Sequence, residues 1–309
     1  MKQNRLWFLY AMITVVAWGV WGAYISYPSD QTPPFPDTLV YVAWAFVMIP
    51  PAIFALWLIG WKLEYDAKSI FYGCTVGFLG AGGQLILFKT LRLAPAYLVF
   101  PFVALSPVVT IAMALVIAKE RATMKGWIGI ALAVIAGVLL AYEPPKGDAS
   151  GVSWVFLALL VLLAWGVQGF AISHANKSMK AESIFFYMAL TSILLIPVAL
   201  AMTDFTNYRT AINWGFKGPY LAAMIQVLNS VGALLLVYAF RYGKAIIVSP
   251  LTNAGGPVVT VAISLLTASL AGALLWNNAK TVNAVGIIAA VVATVLMAIE
   301  GEKAPVETQ

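Results

Sequence analysis

The sequence predicts an all-α membrane protein of ten transmembrane helices, arranged as two inverted five-helix repeats. Three observations predict it. Of 309 residues, 62% are apolar and 10% charged, with a mean hydropathy of +0.91, whereas soluble domains carry roughly 25% charged residues. Apolar stretches of about 20 residues, enough to cross a hydrocarbon core of about 30 Å as a helix, recur from end to end. Phrases from the first half return in the second, in the same order, 147 to 157 residues later.

The first span, 5–27, follows MKQNR but is too long for a signal-peptide core, shows no small-residue cleavage site and leads into nine more, so it is retained. It contains AWGVWGAYIS, Ala17 to Ser26. Span 2 covers 39–60. Span 3, 69–89, holds GFLGAGGQ, in which Gly77, Gly80, Ala81 and Gly83 form a small-residue groove ending in Gln84. Cys74, the single cysteine, lies there too and supports neither an internal disulfide nor a thiolate metal cluster. Span 4, 96–118, carries Pro101 and Pro107, and span 5, 124–142, contains WIGIALAVIAGVLL.

Span 6, 151–174, opens the second half with AWGVQGFAIS, and span 7 covers 183–202. On span 8, 218–240, Gln226 and Asn229 are three apart and share a helical face. Span 9, 245–270, carries Pro250 and Pro257 around LTNAGG, and span 10, 281–299, contains GIIAAVVATVLM. The organisation is a first repeat at 1–147, a second at 148–300 and a loose polar tail at 301–309.

Trp18 and Gly19 match Trp165 and Gly166, whereas Trp21 meets Gln168, so two symmetric units enclose an asymmetric site. LRLAPAYLVFPFVALSPVVT aligns with FRYGKAIIVSPLTNAGGPVVT, pairing Arg92 with Arg241, Pro101 with Pro250 and Pro107 with Pro257. The second string is one residue longer, which predicts a bulge or an unwound turn in span 9. In the same frame Gly77 lies opposite Gln226 and Gly80 opposite Asn229. Five spans per unit force the second copy to enter from the opposite side, a pattern secondary transporters use to expose a central site alternately.

The charge of +6 is scattered over short connections rather than gathered into a stripe, so no nucleic-acid partner is expected. With the N-terminus inside, twelve Lys and Arg fall on the cytoplasmic side and six outside, which predicts both termini in the cytoplasm of a plasma (inner) membrane. The expected partners are the lipid bilayer and a small polar solute; a homodimer is also compatible with the sequence. Every Asp and Glu falls in a connection or tail, including Glu120 and Glu300. Buried ionisable residues mark proton relays, so carboxylate-based proton coupling and cationic substrates are disfavoured.

Trp7, Trp57, Trp61, Trp127, Trp154, Trp214 and Trp276 lie near span ends and fit an interfacial belt, whereas Trp18 and Trp21 lie deeper. The expected cavity lining is Trp18, Trp21, Gln84, Trp165, Gln168, Gln226, Asn229 and Asn253: indoles offer flat apolar faces and carboxamides offer hydrogen bonds. Pro101, Pro107, Pro250 and Pro257 are expected kinks of gate helices, with Arg92 and Arg241 at matching corners as anchors or gates. His174, the only histidine, is expected to cap the end of span 6, and Glu120 to tie a helix end to neighbouring bases. No metal site, cofactor or catalytic constellation is expected.

The strings LRLAPAYLVFPFVALSPVVT, AKERAT and WIGIALAVIAGVLL resemble the EamA domain of the drug/metabolite transporter (DMT) superfamily. The AWG phrase resembles that domain's opening helix, and the resemblance spans roughly residues 5 to 300, more strongly in the first half. It implies a DMT/EamA-like fold of ten helices, a central cavity and alternating access. Lys119-Glu120-Arg121 is similar to the family's Gly-Glu-Arg signature, and the second copy has no acidic counterpart. A secondary transporter or facilitator for a small neutral or zwitterionic metabolite is therefore expected, with sugar, amino acid and nucleobase-like compounds open. The alternative is an intramembrane enzyme or a receptor-like scaffold.

Overall fold

A computed structural model describes residues 5–142, 148–206, 208–270 and 277–303. The predicted junction at 147 and 148 borders a stretch outside the described residues, as do Trp276 and most of the 301–309 tail. The described residues are all helical or loop, without a strand.

The helices are α1 (Leu6–Tyr24), α2 (Asp37–Val47), α3 (Ile49–Leu58), α4 (Ala67–Leu91), α5 (Ala96–Val103), α6 (Ser106–Val116) and α7 (Met124–Leu140). They continue as α8 (Ser153–Ala175), α9 (Ala181–Leu194), α10 (Ile196–Ala201), α11 (Tyr208–Ala211), α12 (Leu221–Tyr242), α13 (Ala245–Leu270) and α14 (Asn278–Lys303). A π-helical turn, Phe216–Tyr220, leads into α12.

Ten spans are expected. Among the described residues nine helical segments are long and apolar enough to cross a membrane, and α7, the fifth, is shorter at 17 residues. At 1.5 Å per residue it reaches about 25 Å.

Exposed apolar residues form helical stripes, such as Leu9, Ile13 and Val16 on α1 and Val285, Ile288, Val292, Val295 and Ile299 on α14. Spacings of three and four place each set on one face, which lipid rather than water suits. The opposite faces are rich in alanine: Ala11, Ala45, Ala55, Ala133, Ala136, Ala175 and Ala239 are all buried. Small side chains let membrane helices approach closely.

Prolines divide three of the predicted spans. Span 2 breaks at Met48, before Ile49-Pro50, and span 7 at Leu195, before Ile196-Pro197. Proline lacks the donor that would continue the preceding helix, so it is seated in the first turn of the next one. These two breaks are 147 residues apart, the same offset as the Trp-Gly phrases. Span 4 breaks at Ala104 and Leu105, with Pro107 opening α6. Span 9 does not break: α13 stays helical through Pro250 and Pro257, which corrects the expected bulge or unwound turn.

Acidic side chains hold several helix starts. Asp66 caps α4, accepting from the amides of Lys68 and Ser69 at 3.1 Å. Glu120 accepts from the amides of Ala245 and Ile246 at 3.2 and 3.0 Å, so among the described residues it caps α13 across the fold, where a pairing with bases is expected instead. Four amides at a helix start lack helical partners, and a carboxylate also favours the positive end of the helix dipole. Glu300, expected in a tail, is buried on α14 and accepts from the amide and hydroxyl of Thr123 at the start of α7.

Two further expectations change. His174 does not cap span 6; it lies within α8 and packs its ring on Phe170 and Tyr72, with centroids 5.8 and 5.4 Å away. Trp7, placed in the interfacial belt, is 3% exposed and packed in the core, because α1 turns it toward Gly243. Trp57, Trp61, Trp127 and Trp214 are exposed, as a belt requires.

Candidate functional site

Spans 1–4 and 6–9 surround a cavity of about 360 Å³, while α7 and α14 pack against each other and against α13 and supply none of its lining. Of the expected lining residues, Trp18, Trp21, Gln84, Trp165, Gln168, Asn229 and Asn253 face this one space. They come from α1, α4, α8, α12 and α13, distant in sequence and brought together by packing.

Equivalent residues of the two halves hold the walls in equivalent ways. The Trp18 indole donates to the carbonyl of Asn229 and the Trp165 indole to the carbonyl of Gly80, both at 3.2 Å. Thr260 donates to the carbonyl of Gly19 at 2.9 Å and Thr110 to that of Gly166 at 2.7 Å. A Cβ on Gly232 would sit 2.5 Å from the Trp18 ring nitrogen, and one on Gly83 would sit 2.5 Å from that of Trp165. Only glycine permits so close an approach of an indole to a helix backbone.

The symmetry ends at the positions the sequence leaves unmatched. Trp21 donates to the Gln226 side-chain oxygen at 3.1 Å, whereas Gln168 donates to the carbonyl of Val76 at 3.2 Å. Gln226 does not line the cavity: it is 3% exposed, and its oxygen also accepts from the Asn229 amide at 3.1 Å. It therefore orients two lining side chains from behind. Asn253 donates to the Ser106 hydroxyl at 3.2 Å, joining α13 to the start of α6.

Among the described residues the lining contains no Asp, Glu, Lys, Arg or His. Of the expected gate residues, Pro257 lines the cavity, and Pro101, Pro107 and Pro250 stand outside it. Arg92 donates to the carbonyl of Met202 at 3.0 Å and Arg241 to that of Met179 at 3.4 Å, so both brace helix ends away from the cavity.

Sequence reasoning missed Trp44, Met48, Met188 and Phe240 in the lining. Met48 could have been found from the Ile-Pro pairs repeated at the offset of 147, which mark a bend in each half. Trp44 lies one helical turn before Met48 and so faces the same way.

The sequence model of the EamA-like transporter family matches residues 5–142. An uncharacterized protein of Methanocaldococcus jannaschii is 28% identical over 145 residues, which are 47% of this chain and 96% of that protein. That relative therefore has about the length of one predicted repeat. A protein of known crystal structure aligns with a TM-score of 0.71 at 17% identity, over 93% of this chain and 96% of that one. The likeness carries the fold alone.

Proposed function

We propose that this chain, whose first half matches the EamA-like transporter family and whose fold is shared with a solved protein at 17% identity, is a secondary transporter or facilitator. It moves a small neutral or zwitterionic polar metabolite by alternating access. The observation that carries the reading is an uncharged cavity walled by equivalent residues of both halves, with equivalent hydrogen bonds at Trp18 and Trp165 and at Thr110 and Thr260.

The repeats are 1–147 and 148–300, related by inversion, with α7 as the fifth of ten spans and both termini in the cytoplasm of the plasma membrane. In such a pair each half adopts in turn the conformation of the other. The broken span 4 and the continuous α13 are then one element in two conformations, the asymmetry expected of a single state in that cycle. No catalytic chemistry is assigned, because among the described residues the lining offers neither an acid/base pair nor an activated nucleophile.

Counterflow into proteoliposomes tests the reading. Saturable exchange of a labelled solute from a panel of sugars, amino acids and nucleobases is expected, with little response to an imposed proton gradient because no ionisable group lines the cavity. Absence of saturable exchange across the panel would sink it.

A further inference from the structure

We propose that the solute is an uncharged planar ring bearing an amide-type edge, with N–H and C=O side by side, and that Gln84 reads that edge. The inference rests on the transporter reading and narrows its substrate. Three features of the cavity select the class.

Among the described residues the lining carries no ionisable side chain. A zwitterion would bring an ammonium and a carboxylate into a space without counter-charges, where desolvation opposes both.

Five aromatic rings stand in the wall: Trp18, Trp21, Trp44, Trp165 and Phe240. Three of these indoles have turned their N–H groups away into the protein, at Asn229, Gln226 and Gly80. The fourth, on Trp44, is sealed from solvent without a partner among the described residues. The indoles therefore offer ring surface, which a flat solute covers and a sugar with five hydroxyls leaves unmatched.

Hydrogen-bonding capacity remains at the carboxamides and, among the described residues, at the hydroxyls of Ser106 and Ser249. Gln168, Asn229 and Asn253 each donate within the protein, to Val76, Gln226 and Ser106, and their carbonyl oxygens accept nothing among the described residues. Gln84 makes no side-chain hydrogen bond among the described residues, so its donor and acceptor are both free. None of these free atoms is sealed in the way the Trp44 indole is. A free carboxamide pairs with an adjacent N–H and C=O through two parallel bonds, as Gln and Asn do with a base edge. The spare carbonyls suit further N–H groups on the same ring.

Uracil is the probe. Binding of labelled uracil to the purified full chain is expected to saturate and to be competed by unlabelled uracil. 1,3-Dimethyluracil, which keeps the ring and loses both N–H groups, should compete about tenfold or more weakly. Gln84→Leu should weaken uracil binding by a similar factor, and Gln84→Glu, which keeps size but loses the amide donor, should also weaken it. Thermal unfolding checks that both variants fold.

Equal competition by dimethyluracil, stronger competition by phenylalanine or glucose, unchanged binding in both folded variants, or no saturable binding would each overturn the assignment. Counterflow of phenylalanine or glucose without uracil binding removes the amide-edge class and leaves the transporter reading standing. Saturable uracil binding without counterflow of any solute does the reverse.

Discussion

The side-chain amide of Asn253 donates to the hydroxyl of Ser106 at 3.2 Å, tying the unbroken α13 to α6 just beyond the joint that divides span 4. The bond links the two proline-bearing helices where their conformations diverge. Ser106→Ala and Asn253→Ala should each lower stability by about 1 kcal/mol. The double variant should lose less than the sum, and a coupling energy below about 0.3 kcal/mol in the thermal-unfolding cycle would count against the brace.

Close approach of indoles to glycine makes a graded prediction within one family of substitutions. Gly232→Val and Gly83→Val drive a side chain into the Trp18 and Trp165 rings and should cost about 1–3 kcal/mol each. At Gly82 an added Cβ meets nothing within 4 Å, so Gly82→Ala should be neutral or stabilise by up to about 1 kcal/mol. Chemical denaturation of the three variants in one detergent checks the order.

Glu120 caps the start of α13 from the far half of the chain. Glu120→Ala should cost about 1–2 kcal/mol and speed hydrogen exchange at the amides of Ala245 and Ile246, with Glu120→Gln intermediate. Unchanged exchange at those two amides in the alanine variant would refute the cap.

Asp66 supplies a pH-dependent prediction. Hydrogen bonds from the Ser69 hydroxyl and amide, and from the Lys68 amide, hold its carboxyl below the usual carboxylate range. A depressed folded-state value means that the ionised form stabilises the protein above the unfolded value of about 3.9, and that this stabilisation fades as pH falls through the folded value. Wild type should therefore melt above Asp66→Asn at neutral pH, and the gap should close below about pH 4. A gap that stays constant with pH would remove the linkage.

Much of the architecture was legible because the membrane restricts it. Apolar length located the helices to within a few residues, as at span 9, where 245–270 and α13 coincide. The repeat aligned Trp18 with Trp165 and Thr110 with Thr260, whose hydrogen bonds now prove equivalent. Proline behaviour was not legible, since whether a proline breaks a helix depends on what neighbours do with the freed backbone groups. Pro107 opens a new helix, whereas Pro257 does not interrupt α13. Gln226 likewise looked like cavity lining on helical periodicity, and only packing reveals that Trp21 and Asn229 stand in front of it.

The uncharged lining of the cavity has an energetic consequence for direction. Each elementary charge carried across a membrane is worth about 2.3 kcal/mol per 100 mV, and a neutral solute moving through a neutral passage gives the voltage nothing to act on. On the proposed transporter reading, an imposed membrane potential is therefore expected to leave net movement of such a solute unchanged.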